Sequence, residues 1–492
     1  MNVLLVYPKY PNTFWSFSEA LKYISKKAAF PPLGLLTVAA MLPDTWDKKL
    51  VDMNTRKLKP EDIAWADMVL ISAMIVQKDS AKEVIALCNA AKKTVVAGGP
   101  LFTTQHEEYS GVDHFVLNEA EITLPLFLND LKRGTAKKRY TSELRPDIDT
   151  TPIPLWSLIK LRDYSSMAVQ FSRGCPFNCE FCDIIIMNGR TPRTKATARF
   201  INEIDSLYTN GYRGGVFIVD DNFIGNKRSV KAMLIELIAW QEKHGFPFHF
   251  LTEASTNLAD DDELMKLLRA ANFNKVFLGI ETPSIEALEA CGKHQNASRD
   301  LVESVRILHR NGIQVMGGFI VGFDSDPITI FKAQIEFIQK TGVVTAMVGL
   351  LNAMPKTRLW DRLKAEKRLK SVTTGENTDG FLNFKSRMPE STLISGFKEI
   401  LATIYSPKKY YERVRTFLKD FKPMHHPSFS IEQLKPLIRS FIRIGIFSRS
   451  RFRFWGLLSR TFFTKPVLLP LAIELSILGT HFEKVVERLA PA

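Results

Sequence analysis

Three of the chain's five cysteines, Cys175, Cys179 and Cys182, fall within eight positions in the run FSRGCPFNCEFCD. Thiolates packed this closely point to metal binding, and their number decides which metal. A closed zinc site takes four tetrahedral ligands. No Cys or His near the run supplies a fourth at finger-like spacing, because Cys88 and Cys291 lie far off and His294 is the only histidine close to either. Three thiolates suit a 4Fe–4S cluster with one iron left open for a small-molecule ligand; a structural zinc site is the plainer alternative. The run follows MAVQFS (167–172), an apolar stretch that reads as a strand, so the cysteines stand on the loop beyond its end.

That strand is the first of a series. GVFIVDD (215–221), FHFLTEAS (248–255), KVFLGIE (275–281), VMGGFIVGF (315–323) and TAMVGLL (345–351) follow, separated by helical stretches such as RDLVESVRILHRNG (299–312), which ends in a Gly C-cap. Six βα units predict a partial TIM-like (β/α)6 barrel over 167–365, with chemistry at the C-terminal strand ends. Upstream, NVLLVYP (2–8), KLVDM (49–53), MVLIS (68–72), TVVAGGP (94–100) and HFVLNE (114–119) read as buried parallel strands, alternating with helical pieces such as SAKEVIALCNAAKK (80–93). They predict a doubly wound α/β domain over 1–135, with a ligand crevice at the loops after Pro8, Ser72, Gly99 and Asn118. Residues 136–166 are polar and proline-bearing and read as a linker, and 366–492 as a helical, basic C-terminal region.

At 492 residues, two or three domains are expected. The 45% apolar and 24% charged fractions are those of a soluble globular protein. No basic segment leads into an apolar run at the start, so no signal peptide is expected. Five cysteines exclude a secreted disulfide framework and favour a cytoplasmic setting. The net charge of +14 is concentrated: residues 405–465 hold fourteen Lys and Arg against three Asp and Glu. Within 430–479, Ile438, Phe441, Ile442 and Ile446 recur at helical spacing beside Arg439 and Arg443, while Pro466, Pro470 and Glu474 break the later apolar run. This is a poor bilayer span but suits an interfacial element contacting a membrane peripherally. A helical cap on the barrel is the plainer reading; a nucleic-acid patch is disfavoured because no RNA-binding module accompanies the charge.

CxxxCxxC with an aromatic, Phe181, before the last cysteine, after the first strand of a partial barrel, resembles the radical S-adenosylmethionine superfamily. The resemblance implies a 4Fe–4S cluster on Cys175, Cys179 and Cys182, whose open iron chelates S-adenosylmethionine. Reductive cleavage, fed by a low-potential donor of flavodoxin or ferredoxin type, then yields a 5′-deoxyadenosyl radical that abstracts hydrogen; the protein positions and shields it. The resemblance also implies contacts at the strand ends. Asp220, Asp221 and Asn222 end the second strand, where the methionyl amino group is held. Glu253 and Ser255 close the third and Glu281 the fourth, where ribose and amino-acid contacts fall. Gly318 and Gly322 belong to the segment passing the adenine, and Met354 sits at the sixth-strand exit, another adenine contact. The plainer readings are solvated strand ends for the carboxylates and packing spacers for the glycines. Arg173 and Lys293 are candidates to hold carboxylate or phosphate groups at the same rim. Cys88 reads as core and Cys291 as a loop residue near the rim.

The N-terminal domain resembles the cobalamin-binding domain of the class B radical methylases, in FPPLGLLTVAAML (30–42), AGGP (97–100) and LNEAEITLPLFL (117–128). The DxHxxG signature, whose His ligates cobalt, is missing; the loop after the first strand reads PKYPNTFW. Cobalamin bound without a protein imidazole is implied, with SAMIVQ (72–77) under the corrin. Pro8, Ser72, Met74, Gln77, Gly98, Gly99 and Glu119 are the candidate contacts, and a cobalamin-free scaffold is the alternative. Across the whole sequence, NTFWSF (12–17), IVQKDSA (75–81), VDDNFIGNKR (219–228), FLGIETP (277–283), GGFIVGFDSD (317–326) and NTDGFLNF (377–384) are similar to the hopanoid C-2 methylase group. That implies C-methylation of an unactivated carbon of a membrane lipid such as a hopanoid. One S-adenosylmethionine would methylate cobalamin and another would make the radical. The same cofactors also serve cyclisation or oxidation of a lipid or tetrapyrrole, and a redox-sensing iron–sulfur protein is a third reading.

Overall fold

The computed structural model describes every residue except 377, 424–430 and 490–492. Asn377, which opens the stretch NTDGFLNF, lies outside the described residues. The first of two six-stranded sheets contains β1 (Asn2–Tyr7), β2 (Asp47–Asp52), β3 (Met68–Ser72), β4 (Thr94–Gly98), β5 (His114–Val116) and β6 (Arg139–Tyr140). Their order is β2-β1-β3-β4-β5-β6, all parallel. Strand order reverses between β1 and β3, so the loops after Tyr7 and Ser72 part to open a crevice at the switch point. The inner strands β1, β3 and β4 are apolar on both faces because both are covered. Alternate residues of β1 feed different cores: Leu4 and Val6 pack with Val69, Ile71 and Cys88, whereas Val3 and Leu5 join a cluster that runs on through the second sheet. The two domains therefore share a core.

The second sheet begins with β7 (Ser166–Val169). After it, β8 (Ser172–Arg173) and β9 (Arg193–Thr194) form a separate antiparallel ladder. Then come β10 (Gly214–Ile218), β11 (Phe248–Ala254), β12 (Phe273–Glu281), β13 (Gln314–Val321) and β14 (Ala346–Leu350), in the parallel order β14-β13-β12-β11-β10-β7. This is the six-unit partial barrel that the alternation predicts. The expected strand over 167–172 is divided, however. Its end is drawn out of the sheet by Asp220, whose carboxylate accepts the Phe171 N–H (2.8 Å) and the Ser172 hydroxyl (2.6 Å).

On β13, Phe319 packs against Phe337 of the covering helix Ile330–Thr341. Met316, Gly318 and Ile320 therefore face into the half-barrel. Strand register extends that inner face to Phe277 and Glu253 beside Met316, and to Gly279 and Met347 beside Gly318. The C-terminal region is helical, in Glu390–Ile404, Pro407–Asp420, Ile431–Arg443, Arg451–Thr464 and Leu469–Leu489. Among the described residues no helix is long and apolar enough to cross a membrane. Helix Leu469–Leu489 instead holds the N-terminal segment: Phe482 stacks on Phe14 (4.6 Å), and His481 Nε2 lies 2.9 Å from the Phe14 carbonyl oxygen. Trp15 is thereby set at the barrel's inner face, 5.4 Å from the Phe277 ring, with its indole N–H donating to Met347 Sδ (3.2 Å).

Candidate cofactor and active site

The β8–β9 ladder forms the neck of the cysteine loop. Two adjacent carboxylates at the end of β10 hold that loop. Asp220 takes Phe171 and Ser172, while Asp221 takes the Gly174 N–H (2.6 Å) and the Asn188 amide (2.9 Å). Burial pushes the Asp220 carboxyl up to about 7, and Asp221 is raised by the same cause. Gly174 has φ +101, and a Cβ there would sit 2.7 Å from the Thr191 carbonyl oxygen, so only glycine makes this turn. Next along the strand end, the Asn222 amide nitrogen lies 3.9 Å from Cys175 Sγ and 3.2 Å from the Ser255 hydroxyl. The Gln295 amide reaches Cys179 Sγ at 3.9 Å.

All three thiols are pushed up by burial, Cys182 also by the fields of Asp183, Cys179 and Cys175, and none is in a disulfide. Among the described residues no three of His, Cys, Asp or Glu close around a point as a single ion demands. Three cysteines grouped on one loop, with amide donors beside two of them, fit an iron–sulfur cluster.

The other rim residues divide. Glu253 points into the half-barrel, half-buried, and its carboxylate meets no hydrogen-bond or ion-pair partner among the described residues. Burial, helped by Asp221 and Asp220, pushes its carboxyl up to about 7. An acid raised in the folded state favours folding below its ordinary range near 4.5 and loses that contribution as pH rises through 7. Glu253→Gln, which cannot ionise, is therefore expected to match the parent at pH 4 and to exceed it by on the order of 2 kcal/mol at pH 8, as read by chemical denaturation.

Glu281, at φ +67 on a bulge in β12, is committed to an ion pair with the buried Lys293. Burial disfavours the Lys293 charge, but Glu281 and Cys179 more than offset it, so this ammonium stays protonated. Gly279 leaves the space for the pair, since a Cβ there would lie 2.5 Å from Glu281 Oε1 and 2.6 Å from Lys293 Nζ. Gly279→Ala is expected to cost about 1–3 kcal/mol and to unseat Lys293, measurable as lowered stability that Lys293→Met would no longer share. Gly318 is a spacer for Phe277, whose Cζ would lie 2.9 Å from an added Cβ. Gly322 turns at φ +106 with its N–H on Asp326 (2.8 Å), and Met354 stands where the β14 exit meets the N-terminal core.

At the crevice the structure brings together Pro8, Ser72, Met74, Gln77, Gly98 and Gly99. Gln77 is a buried brace: its Oε1 accepts the Met74 N–H (2.8 Å) and its amide donates to the Pro8 carbonyl, tying the loops after β1 and β3. Met74 is 46% exposed, with the Tyr10 hydroxyl 3.5 Å from its sulfur. A Cβ on Gly99 would meet Ser72 Oγ at 2.6 Å, and one on Gly98 the Val116 carbonyl oxygen at 2.6 Å, so the strand ends stay bare backbone. A flat ligand fits such a floor. The domain's histidines lie elsewhere: His114 opens β5 at its opposite end and His106 faces Arg139.

Glu119 is not at the crevice floor. Arg173, Arg193 and Arg145 surround its carboxylate at 2.8, 2.9 and 3.6 Å, and Arg173 also meets Glu121 at 2.7 Å. Arg173 and Lys293, read as anion holders, are thus both paired within the protein. Arg145, Arg193 and Glu121 are participants that sequence reasoning missed; Arg173 beside the cysteine run was the one signal. Cys88 is core, as expected. Cys291 is buried behind the cysteine loop, its carbonyl accepting the Glu180 N–H (2.8 Å), and so is more than a loop residue.

Comparison with known proteins bears on the same regions. Models of the radical SAM superfamily, the B12-binding domain and a domain of unknown function (DUF4070) match residues 169–350, 24–128 and 357–491. An uncharacterized methyltransferase of Synechocystis sp. is 45% identical over 92% of this chain and 86% of that one. The hopanoid C-2 methylase of Rhodopseudomonas palustris is 33% identical over 92% and 88%. Among solved structures, the cobalamin-dependent radical enzyme OxsB with aqua-cobalamin bound has a TM-score of 0.66 at 13% identity, over 99% of this chain and 80% of that one. The radical methyltransferase TsrM from Kitasatospora setae, with cobalamin and a [4Fe-4S] cluster, has a TM-score of 0.59 at 15% identity, over 92% and 97%. The cofactors are accordingly a 4Fe–4S cluster, S-adenosylmethionine and cobalamin. The protein belongs to the cobalamin-dependent radical S-adenosylmethionine methyltransferases, in the family that includes hopanoid C-2 methylase.

Proposed function

We propose that the enzyme methylates an unactivated carbon of an apolar, polycyclic membrane lipid of the hopanoid class. It does so at the cytoplasmic face, with electrons from a flavodoxin- or ferredoxin-type donor. What carries this reading is the half-barrel's inner face. Phe217 and Leu251 share a register, as do Phe277 and Met316, with Met347 beside Gly318. Trp15 and Phe30 of the N-terminal domain close on Phe277 and Phe217, with ring centroids 5.4 and 5.1 Å apart. Rings and aliphatic chains hold a greasy, rigid body and keep water from it. When bound, the cofactors supply the hydrogen-abstracting radical and the methyl group.

In this reading Cys175, Cys179 and Cys182 hold the cluster, and Asn222 and Ser255 line the adjoining rim. Met74, Ser72, Gly98 and Gly99 form the floor under the corrin. Asp220 and Asp221 act by positioning the cysteine loop. Glu253 stands as the polar contact within an otherwise apolar chamber. Names of relatives agree with an apolar substrate, hopanoid C-2 methylase among them.

The test is anaerobic. The reconstituted enzyme, with cobalamin, S-adenosylmethionine and a low-potential reductant, is incubated with membrane lipid extract. Methylation is expected to yield 5′-deoxyadenosine, S-adenosylhomocysteine and a lipid heavier by one CH2. A product differing by two hydrogens, without S-adenosylhomocysteine, would instead establish cyclisation or oxidation.

A further inference from the structure

We infer that helices Ile431–Arg443 and Arg451–Thr464 form a docking face for an anionic lipid bilayer. The protein thereby sits on the membrane and does not await substrate in solution. Among the described residues, nine of the twenty large exposed hydrophobic side chains lie between Leu434 and Phe463. They fall in stripes. On the first helix Leu434, Ile438 and Ile442 are spaced four apart; on the second Phe452, Trp455, Phe462 and Phe463 follow helical spacing. Phe463 is 82% exposed and Phe447 between the helices 78%, values at which a side chain has no packing role within the fold. The Phe441 and Trp455 rings pack tilted against each other with centroids 5.2 Å apart, and the Trp455 indole N–H donates to the Gly445 carbonyl (3.0 Å), so the two helices lie together.

Charge selects the partner. No Asp or Glu occurs from Gln433 to Ile473. Some of the basic residues there serve the fold: Arg439 donates to the carbonyls of Lys22 and Tyr23, Arg443 covers the Tyr23 ring, and Lys465 donates to Leu418 and Lys419. Lys435, Arg451, Arg453 and Arg460 are exposed beside the apolar stripes. Bulky apolar side chains interleaved with cations match an acyl boundary beneath anionic head groups. A nucleic acid would use the cations and leave aliphatic Ile438 and Ile442 in water. The proposed attachment is peripheral, through these side chains; among the described residues no helix is long and apolar enough to cross a bilayer.

The experiment is co-sedimentation of the full-length holoenzyme with vesicles of phosphatidylcholine alone and vesicles containing phosphatidylglycerol, without turnover. Partitioning onto the anionic vesicles is expected, falling as salt is raised. Each cation near such a surface contributes about 1 kcal/mol, so Arg451→Gln with Arg453→Gln is expected to weaken it about thirtyfold. Phe462→Ser with Phe463→Ser, both exposed and neutral for the fold, is expected to weaken it by at least about tenfold. Failure to sediment with either vesicle overturns the inference. So does binding that ignores both double variants, capture by mixed-sequence RNA in preference to vesicles, or a dimer that the Phe variants dissolve. Because no product is measured, a negative result here leaves the methylation test standing, and the converse also holds.

Discussion

Replacing Cys182 by alanine is expected to strip the reconstituted enzyme of its cluster iron and to lower 5′-deoxyadenosine formation by more than about 100-fold. Removing even an outer-shell partner of a metal site costs about 10–100-fold in affinity or activity, and a ligand lost from a three-thiolate set has no substitute among its neighbours. Cys291 is the nearest further thiol in the fold. It is buried, with its Sγ turned to the Leu288 carbonyl (3.4 Å), and the loop it supports is fixed by the Glu180 N–H on its own carbonyl. Asn222→Ala, which removes an amide facing Cys175 together with its contacts to Ser255, is expected within the 10–100-fold range, with iron retained. Cys88→Ala, in the core of the other domain, should keep both iron and product. A Cys182→Ala enzyme with full iron and normal product would mean that the cluster is held elsewhere.

Glu119→Ala is expected to destabilise the protein by about 3–5 kcal/mol, the cost of leaving buried charge unpaired. Its carboxylate is 7% exposed and shared by Arg145, Arg173 and Arg193; Glu121 retains Arg173 alone. Arg173 and Arg193 sit on β8 and β9, so the loss also loosens the neck of the cysteine loop. Chemical denaturation reads the stability, and iron content under limiting reconstitution reads the loop. Glu119→Gln keeps the shape and loses the charge; a result equal to the parent would show that packing, not charge, holds this joint.

Much of this architecture is legible in the sequence because parallel strands buried on both faces read as unbroken apolar runs, and the strands of both sheets lie within two residues of such runs, except β6 (Arg139–Tyr140), which falls in the stretch that reads as a linker. The same property hides which residue faces inward: without polar alternation, nothing distinguishes Phe277 from Leu278 until strand register and the covering helices are known. The cysteine run needs no partner to be noticed. Glu119 does, since its arginines on β8 and β9 are 54 and 74 residues away, and a carboxylate at a strand end looks the same whether it meets ligand or guanidinium. Gln77 is legible as a loop residue at the crevice but not as a brace, because a side chain that binds its own backbone neighbours has no sequence signature. Trp15 is the extreme case, an aromatic in an N-terminal loop whose hydrogen-bond partner is 332 residues downstream.

The seam between Phe14 and helix Leu469–Leu489 bears on how this enzyme divides into modules. The matched cofactor regions run from 24 to 350, take in the cysteine run, and leave out β1 (Asn2–Tyr7), the strand at the switch point of the first sheet. Trp15 lies ahead of that interval, and the helix that fixes Phe14, through Phe482 and His481, lies far beyond it. A fragment trimmed to the recognisable modules would therefore keep the cysteine loop and its half-barrel while losing an inner strand of the first sheet and a wall of the chamber. Transplanting substrate preference between relatives would accordingly require the N-terminal loop and the C-terminal helix to be exchanged together, as one discontinuous unit.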